Sequence, residues 1–239
     1  MNIALIGYGK MGKAIEQIAL EKGHTIGLKI DIDSIDLFTI ENLQQYDVAI
    51  EFTGPHSAPQ NIIKCFEAGV PVVSGSTGWL QQQWNNVAAE CNKLNGGFLY
   101  ASNFSIGVNI FFEVNKKLAA LMNPHQEYDV TIEEIHHTQK KDAPSGTAIT
   151  LADQIVEQIK RKTKWVNDVA PSSNELLITS KRIDPAPGTH SIKYHSAIDD
   201  IEITHTAHNR TGFAGGAILA AEFLKGKKGI YSMKDVLGF

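Results

Sequence analysis

Cysteine is scarce: Cys65 and Cys91 are the only thiols in 239 residues. That excludes a disulfide framework or a cysteine-rich zinc site. Both fall in helical patterns, which predicts buried thiols in a reducing cytoplasm. Long apolar runs are missing too. No stretch reaches the ~18 residues of a membrane helix, and a strand pattern begins at Asn2, so no signal segment or membrane partner is expected. The net charge of −4 gives no basic face for nucleic acid. No G-x-S-x-G elbow occurs, which argues against a serine hydrolase. Repeats and low-complexity segments are absent as well.

What is present is ordinary globular material. Hydrophobic residues make up 43% of the chain, enough to bury one large core or two modest ones. The first hundred residues alternate strand and helix patterns. "NIALI" (2–6) reads as a strand buried on both faces. Met11, Ala14, Ile15, Ile18 and Ala19 then fall at helical spacing. "TIGLKI" (25–30), "DVAIEF" (47–52), "VPVVS" (70–74) and "GFLYA" (97–101) continue the strands, with helices around Ile62–Phe66 and Leu80–Leu94 between them. This rhythm predicts a parallel sheet with helices on both sides, a Rossmann-like domain.

After Phe104 the rhythm changes. A helix from Val108 to about Leu121 leads into "YDVTIEEIHH", and a second helix carries Ala148, Leu151, Ala152, Ile155 and Ile159 on one side. Val166–Ser173 reads as a loop. Strands around Leu176–Ile183, Thr189–His195 and Ile201–Thr206 suggest an antiparallel or mixed sheet, hence an α+β domain. A last helix over Gly215–Leu224 is expected to return to the first domain. The expected fold class is therefore α/β, with an inserted α+β domain over 104–214 and the dinucleotide domain over 1–103 plus 215–239.

Between the first strand and helix stands "GYGKMG", which places Gly7, Gly9 and Gly12 in G-x-G-x-x-G spacing. Such glycines allow a tight turn, close approach of a pyrophosphate, and packing of helix on strand. The helix N-terminus offers amides and a positive dipole end to phosphate. Six residues are a weak motif alone; the strand before them and the amphipathic helix after them make it specific. Asp31, at the end of the second strand, suits the adenosine ribose, with Asp33 as the near alternative. No arginine follows to clasp a 2′-phosphate, which predicts NADH over NADPH, with Lys29 as a partial compensator. "FTGP" (52–55), "GSTG" (75–78) and "ASNF" (101–104) end other strands, where cofactors rest in such sheets; ordinary turn chemistry is the competing explanation for these small residues.

"EEIHHTQKKDAPSGTA" (133–148) gathers proton donors and anion binders in sixteen residues. It resembles the signature of the 4-hydroxy-tetrahydrodipicolinate reductase family, also called dihydrodipicolinate reductases. The family pattern E-x-H-H-x-x-K-x-D-x-P-S-G-T-A is matched at every fixed position. "GSTGW" is similar to the family's nicotinamide loop, with Ser76 where threonine is common. "ASNFSIGVN" and "SMKDVLGF" resemble its domain-junction and C-terminal motifs. The resemblance runs from Ile3 to Leu237. "GYGKMG" departs from it, being one residue shorter than the G-x-x-G-x-M-G of many members.

The resemblance implies hydride transfer from NADH or NADPH to a cyclic dicarboxylate imine, in the diaminopimelate route to lysine, by a cytoplasmic homotetramer. By it, His136 is the proton donor and Lys140 a second donor near the substrate; His137, Ser145, Gly146 and Thr147 bind substrate. The cofactor falls to Gly7, Tyr8, Gly9, Lys10, Met11, Gly12 and Asp31, to Thr53, Gly75, Ser76 and Thr77, and to Ala101, Ser102, Asn103 and Phe104. The chemistry suits these residue types. Hydride addition to a conjugated imine creates an electron-rich species that needs a proton, which an imidazole near neutral pKa supplies. Two substrate carboxylates need a cation and N–H donors, which Lys140 and a helix beginning after Ser145 provide. His190, after "PG", is a further substrate candidate.

No metal is expected, because adjacent histidines on a strand point to opposite faces. A strand-end histidine pair or a plain helix cap is the bland explanation of the cluster. Another two-domain dehydrogenase, acting on aspartate or homoserine, would share the glycine turn but not the histidine run. A non-catalytic NAD sensor would not need His136 and Lys140.

Overall fold

The computed structural model describes residues 1–169, 171–209 and 211–239. The chain forms two compact units, Met1–Ile106 with Thr211–Phe239, and Gly107–Arg210. No helix among the described residues is long and apolar enough to cross a membrane.

In the first unit, β1 (Asn2–Ile6), α1 (Lys10–Glu21), β2 (Thr25–Ile30), α2 (Ile40–Leu43), β3 (Val48–Glu51), α3 (Ala58–Glu67), β4 (Val72–Ser74), α4 (Leu80–Lys93) and β5 (Gly97–Tyr100) follow one another. The sheet is parallel, as the alternation predicts, with β11 (Gly229–Tyr231) at one edge and strand order β11-β5-β4-β3-β1-β2. Residue-by-residue alternation serves two helix layers at once. Ala4, Ile6 and Ala49 pack with Ile62 and Cys65 of α3 and with Val87 and Cys91 of α4. Ile3, Leu5, Val48 and Ile50 pack with Ile15 and Ala19 of α1 and with Ala217 and Ala221 of α7 (Thr211–Leu224). Both cysteines are free and buried. From β1 the chain passes to β2 on one side and then crosses back to β3 on the other. This reversal opens a crevice at the strand carboxyl ends, where ligands bind in such sheets.

Several short elements are absent from the sequence expectations: a 3₁₀ segment (Ile32–Leu37), α2, the sixth strand β11 (Gly229–Tyr231) and α8 (Met233–Leu237).

The second unit holds α5 (Ile106–Met122, beginning at the boundary), β6 (Asp129–His136), α6 (Gly146–Gln158), β7 (Lys164–Asn167), β8 (Glu175–Arg182), β9 (Gly188–His195) and β10 (Asp200–Ala207). The sheet is mixed, in the order β10-β9-β6-β8-β7. β6–β9 and β9–β10 pair antiparallel; β6–β8 and β7–β8 pair parallel. Val108, Phe112 and Ala119 of α5 and Leu151, Ala152 and Ile155 of α6 share one core with Val130, Ile132, Ile178 and Ile192 of the sheet. The loop expected over Val166–Ser173 needs correction at its start, because Val166 and Asn167 belong to β7, paired with Leu177 and Ile178 of β8. Ala170, within that expectation, lies outside the described residues.

Candidate active site

Strand alternation and register assemble the principal cluster. On β6 the buried side chains are Val130, Ile132, Glu134 and His136, so the core-facing series ends in a carboxylate and an imidazole. On β9 the buried series is Gly188, His190, Ile192 and Tyr194. Register sets Glu134 opposite His190 on one side and Ser180 on the other, and His136 opposite Arg182. Four polar side chains thus meet Glu134 because a period of two has nowhere else to send them.

Glu134 is fully buried and well supplied with donors. The Ser145 amide donates to both its oxygens at 3.1 Å, and the Ser180 hydroxyl donates at 2.8 Å. Arg182 lies at 3.4 Å, His136 Nδ1 at 3.5 Å and His190 Nε2 at 3.6 Å. Burial pushes the Glu134 carboxyl up, but bonds from His190, Ser145 and Ser180 outweigh it and hold the group well below the usual carboxylate range.

His136 is buried, and its Nδ1, though near Glu134, makes no hydrogen bond. Its ring stands edge-on to His190, with centroids 5.1 Å apart. Burial first, then the charge on His190, and lesser repulsion from Lys140 and Arg182 pull His136 down to about 4, against the opposing field of Glu134. The imidazole is therefore neutral at pH 7 in the free protein. Glu134, His136 and His190 carry donor atoms all within 4.8 Å of one another, a spacing that suits a cation. Arg182 and three hydrogen bonds already compensate the carboxylate, so the cluster is explained as a hydrogen-bonded network.

α6 begins beside this network. Ser145 caps it, its hydroxyl accepting from the Ala148 amide at 3.2 Å while lying 3.1 Å from His190 Nε2. The Ser145 amide and hydroxyl are thus committed within the protein, the hydroxyl as the helix cap weighed from the sequence and the amide to Glu134. Gly146 follows with open space where a Cβ would stand, leaving the first turn of a 13-residue helix approachable. Thr147 is half-buried. Lys140 Nζ is held by Asp142 at 2.7 and 2.8 Å. His137, just beyond β6, is half-buried and its ring makes no hydrogen bond among the described residues. The structure thus brings His136, Ser145 and His190 together and keeps His137 outside their hydrogen-bond network. Glu134, Ser180 and Arg182 join them without having been assigned a role from sequence. Glu134 sits in the quoted motif, but its part depends on strand partners.

The first unit carries a second arrangement. Gly7 has φ +94°, and a Cβ there would stand 2.2 Å from the Phe52 carbonyl oxygen; one at Gly12 would meet the Gly7 carbonyl at 2.4 Å. Gly9, the N-cap of α1, has nothing within 4 Å of that position. Turn, approach and packing roles are therefore divided among the three glycines as a dinucleotide loop requires. Lys10 is exposed and Met11 half-buried. Tyr8 donates from its hydroxyl to Glu16, and Lys29 pairs with the same carboxylate at 3.2 Å. Asp31 is exposed immediately after β2, its carboxylate accepting from the Ile32 amide at 3.0 Å.

At the ends of β3 and β4 the structure reveals a residue that the sequence reading passed over. Glu51 is fully buried and accepts from Thr53 and Ser76, two of the predicted cofactor residues. A carboxylate closing an otherwise apolar strand was the available signal. Gly75 is half-buried, Thr77 and Ser102 are exposed, and Ala101, Asn103 and Phe104 are buried. The Asn103 side chain accepts from the Ser105 amide at 2.9 Å, and Phe104 stacks at a tilt 5.7 Å from Phe52.

A glycine loop at the reversal of a parallel sheet, with an imidazole network in a separate mixed-sheet unit, has the organisation of a two-unit nicotinamide-dependent oxidoreductase. Comparison with known proteins narrows this class. The family model described as dihydrodipicolinate reductase, N-terminus, matches residues 1–104, and that described as dihydrodipicolinate reductase, C-terminus, matches residues 107–237. The 4-hydroxy-tetrahydrodipicolinate reductase of Christiangramia forsetii is 52% identical over 99% of this chain and 98% of its own. That of Methanosarcina acetivorans is 36% identical over 99% of this chain and 89% of its own. The chain belongs to the dihydrodipicolinate reductase family. Its fold is similar to that of a dipicolinate-bound dihydrodipicolinate reductase from Paenisporosarcina sp. TG-14, with a TM-score of 0.77, 23% identity and 97% of each chain covered.

Proposed function

We propose that this chain reduces 4-hydroxy-tetrahydrodipicolinate with NAD(P)H, yielding tetrahydrodipicolinate, NAD(P)⁺ and water, with His136 delivering the proton. The observation that carries the reading is the buried Glu134–His136–His190 network at the head of α6, in a chain whose family carries that chemistry. Bound NAD(P)H supplies the hydride; Gly7, Gly9 and Gly12 would admit its pyrophosphate to the amides of α1, and Thr53, Gly75, Ser76, Thr77 and the Ala101–Phe104 segment its nicotinamide half.

The resting state of His136 constrains the mechanism. A neutral imidazole is a poor acid at pH 7, so His136 must gain a proton before giving one. A dicarboxylate bound near Lys140 and the first turn of α6 supplies the field that does this: two negative charges raise the proton affinity of an adjacent imidazole. Glu134 steadies the resulting cation. Lys140 leaves Asp142 to pair with a substrate carboxylate and serves as the second donor, while the Gly146 and Thr147 end of α6 takes the other carboxylate. His137, beside Lys140 in the chain, is assigned a substrate contact. Loss of the ring hydroxyl as water first gives the conjugated imine; hydride then adds at one end of that system and the His136 proton at the other.

An exposed Asp31, with Lys29 already occupied by Glu16, supports NADH as the preferred cofactor. A cytoplasmic homotetramer is the form in which we expect the enzyme to work. The test is a coupled assay containing aspartate semialdehyde, pyruvate and the preceding synthase. NADH absorbance should fall only when this protein is added, and replacing His136 by Ala should slow the fall about 10²–10⁴-fold. Unchanged NADH with the wild-type protein would defeat the proposal.

A further inference from the structure

Glu51 is a buried carboxylate held by neutral donors. It closes β3 with zero exposure. Its carboxylate accepts from the Thr53 amide at 2.8 Å, the Thr53 hydroxyl at 2.5 Å, the Ser74 hydroxyl at 2.5 Å and the Ser76 hydroxyl at 2.8 Å. No ion pair among the described residues includes it. Its charge reaches its surroundings: burial, and then the field of Glu51, push the Cys65 thiol far up.

Burying a carboxylate among neutral donors is costly, and three hydroxyls plus one amide are spent on holding it. A scaffold could tie the two loops together with neutral groups alone. The position of the charge supplies a better reason. In the strand order β4-β3-β1-β2, Asp31 marks the adenosine side at β2, and the chain end of β1 carries the pyrophosphate loop. The nicotinamide half therefore falls over β3 and β4, the two strands whose ends Glu51 joins. When hydride leaves with its electron pair, the nicotinamide ring passes from neutral to a single positive charge. A fixed anion below it stabilises that product and the charge developing on the way to it.

We propose that Glu51 supplies a permanent negative charge beneath the nicotinamide, which tightens binding of the oxidised, cationic cofactor relative to the reduced one and so favours hydride release. The proposal rests on the reading, given above, that the loops after β3 and β4 hold the nicotinamide. Glu51 would touch neither cofactor nor substrate; its action is electrostatic.

The experiment compares dissociation constants for NADH, by fluorescence enhancement, and for NAD⁺, by calorimetry or displacement, in the wild type, Glu51→Gln and Glu51→Asp. In Glu51→Gln, NAD⁺ binding should weaken about tenfold more than NADH binding, the order expected for losing one nearby unit charge under interior screening. Glu51→Asp, which keeps the charge, should keep the wild-type ratio. If Glu51→Gln weakens both cofactors equally, Glu51 only braces the loops and the proposal is overturned. Should that variant not fold, as judged by circular dichroism, Glu51→Met provides the uncharged comparison with the same expected change in ratio. A wild-type protein that binds neither cofactor would overturn the dinucleotide reading as well, a result distinct from an unchanged ratio in a protein that binds both.

Discussion

Replacing His136 by Gln should flatten the dependence of stability on pH. In the unfolded chain this imidazole takes up its proton near 6.5; in the folded protein it does so only near about 4. Between these values the unfolded state binds a proton that the folded state refuses, so stability falls as the pH drops through this window. At pH 5 the unfolded imidazole is about 97% protonated and the folded one about 9%, a difference of about 2 kcal/mol against pH 7.5. Below about pH 4 the group contributes no further loss. Glu134 acts in the same downward direction but lower: its carboxyl is held below its ordinary value of 4.5, so its stabilisation is intact above that pH and is lost only beneath it. The window from 7.5 to 5 therefore separates the imidazole from Glu134, and His205, which burial also holds below its ordinary value, cancels between wild type and variant. Urea unfolding followed by circular dichroism at both pH values gives the measurement. The wild type should lose about 2 kcal/mol more than His136→Gln between them. Parallel losses in the two proteins would show that burial does not hold His136 neutral and would remove the basis for substrate-driven protonation.

Other perturbations address neighbouring claims. Lys140→Met should raise KM about tenfold or more, the loss expected for one charge-assisted hydrogen bond, and lower kcat as well; wild-type steady-state kinetics would take Lys140 out of the site. The ratio of kcat/KM for NADH over NADPH should exceed one, and Asp31→Ser should lower it about tenfold by removing the carboxylate that repels a 2′-phosphate. Equal efficiency with both cofactors in the wild type would refute the assignment of Asp31.

Much of this architecture was legible because it is written in local periodicity. After Asn2, "IALI" (3–6) has no polar position, which marks a strand covered twice, and the glycine spacing after it belongs to a recognisable turn. Alternation in "YDVTIEEIHH" already implied that Glu134 and His136 share a face. What alternation cannot supply is the strand on either side. His190, Ser180 and Arg182 come from 44 to 56 residues further along the chain, and only register across β8 and β9 sets them against Glu134 and His136. For the same reason the loop expected over Val166–Ser173 takes in Val166 and Asn167, the second half of β7: a four-residue strand at a sheet edge is decided by its pairing with β8 rather than by its own propensity. β11 spans only three residues, too few for a period to show. Glu51 stayed hidden because its three hydroxyl donors become neighbours only when the ends of β3 and β4 lie side by side.

The central claim is that the dicarboxylate brings His136 its charge. Calorimetry of dipicolinate binding at pH 7, repeated in buffers of different ionisation enthalpy, counts the protons taken up. The wild type should take up more than about half a proton per site and His136→Gln almost none. Binding by the wild type with no proton uptake would contradict the account.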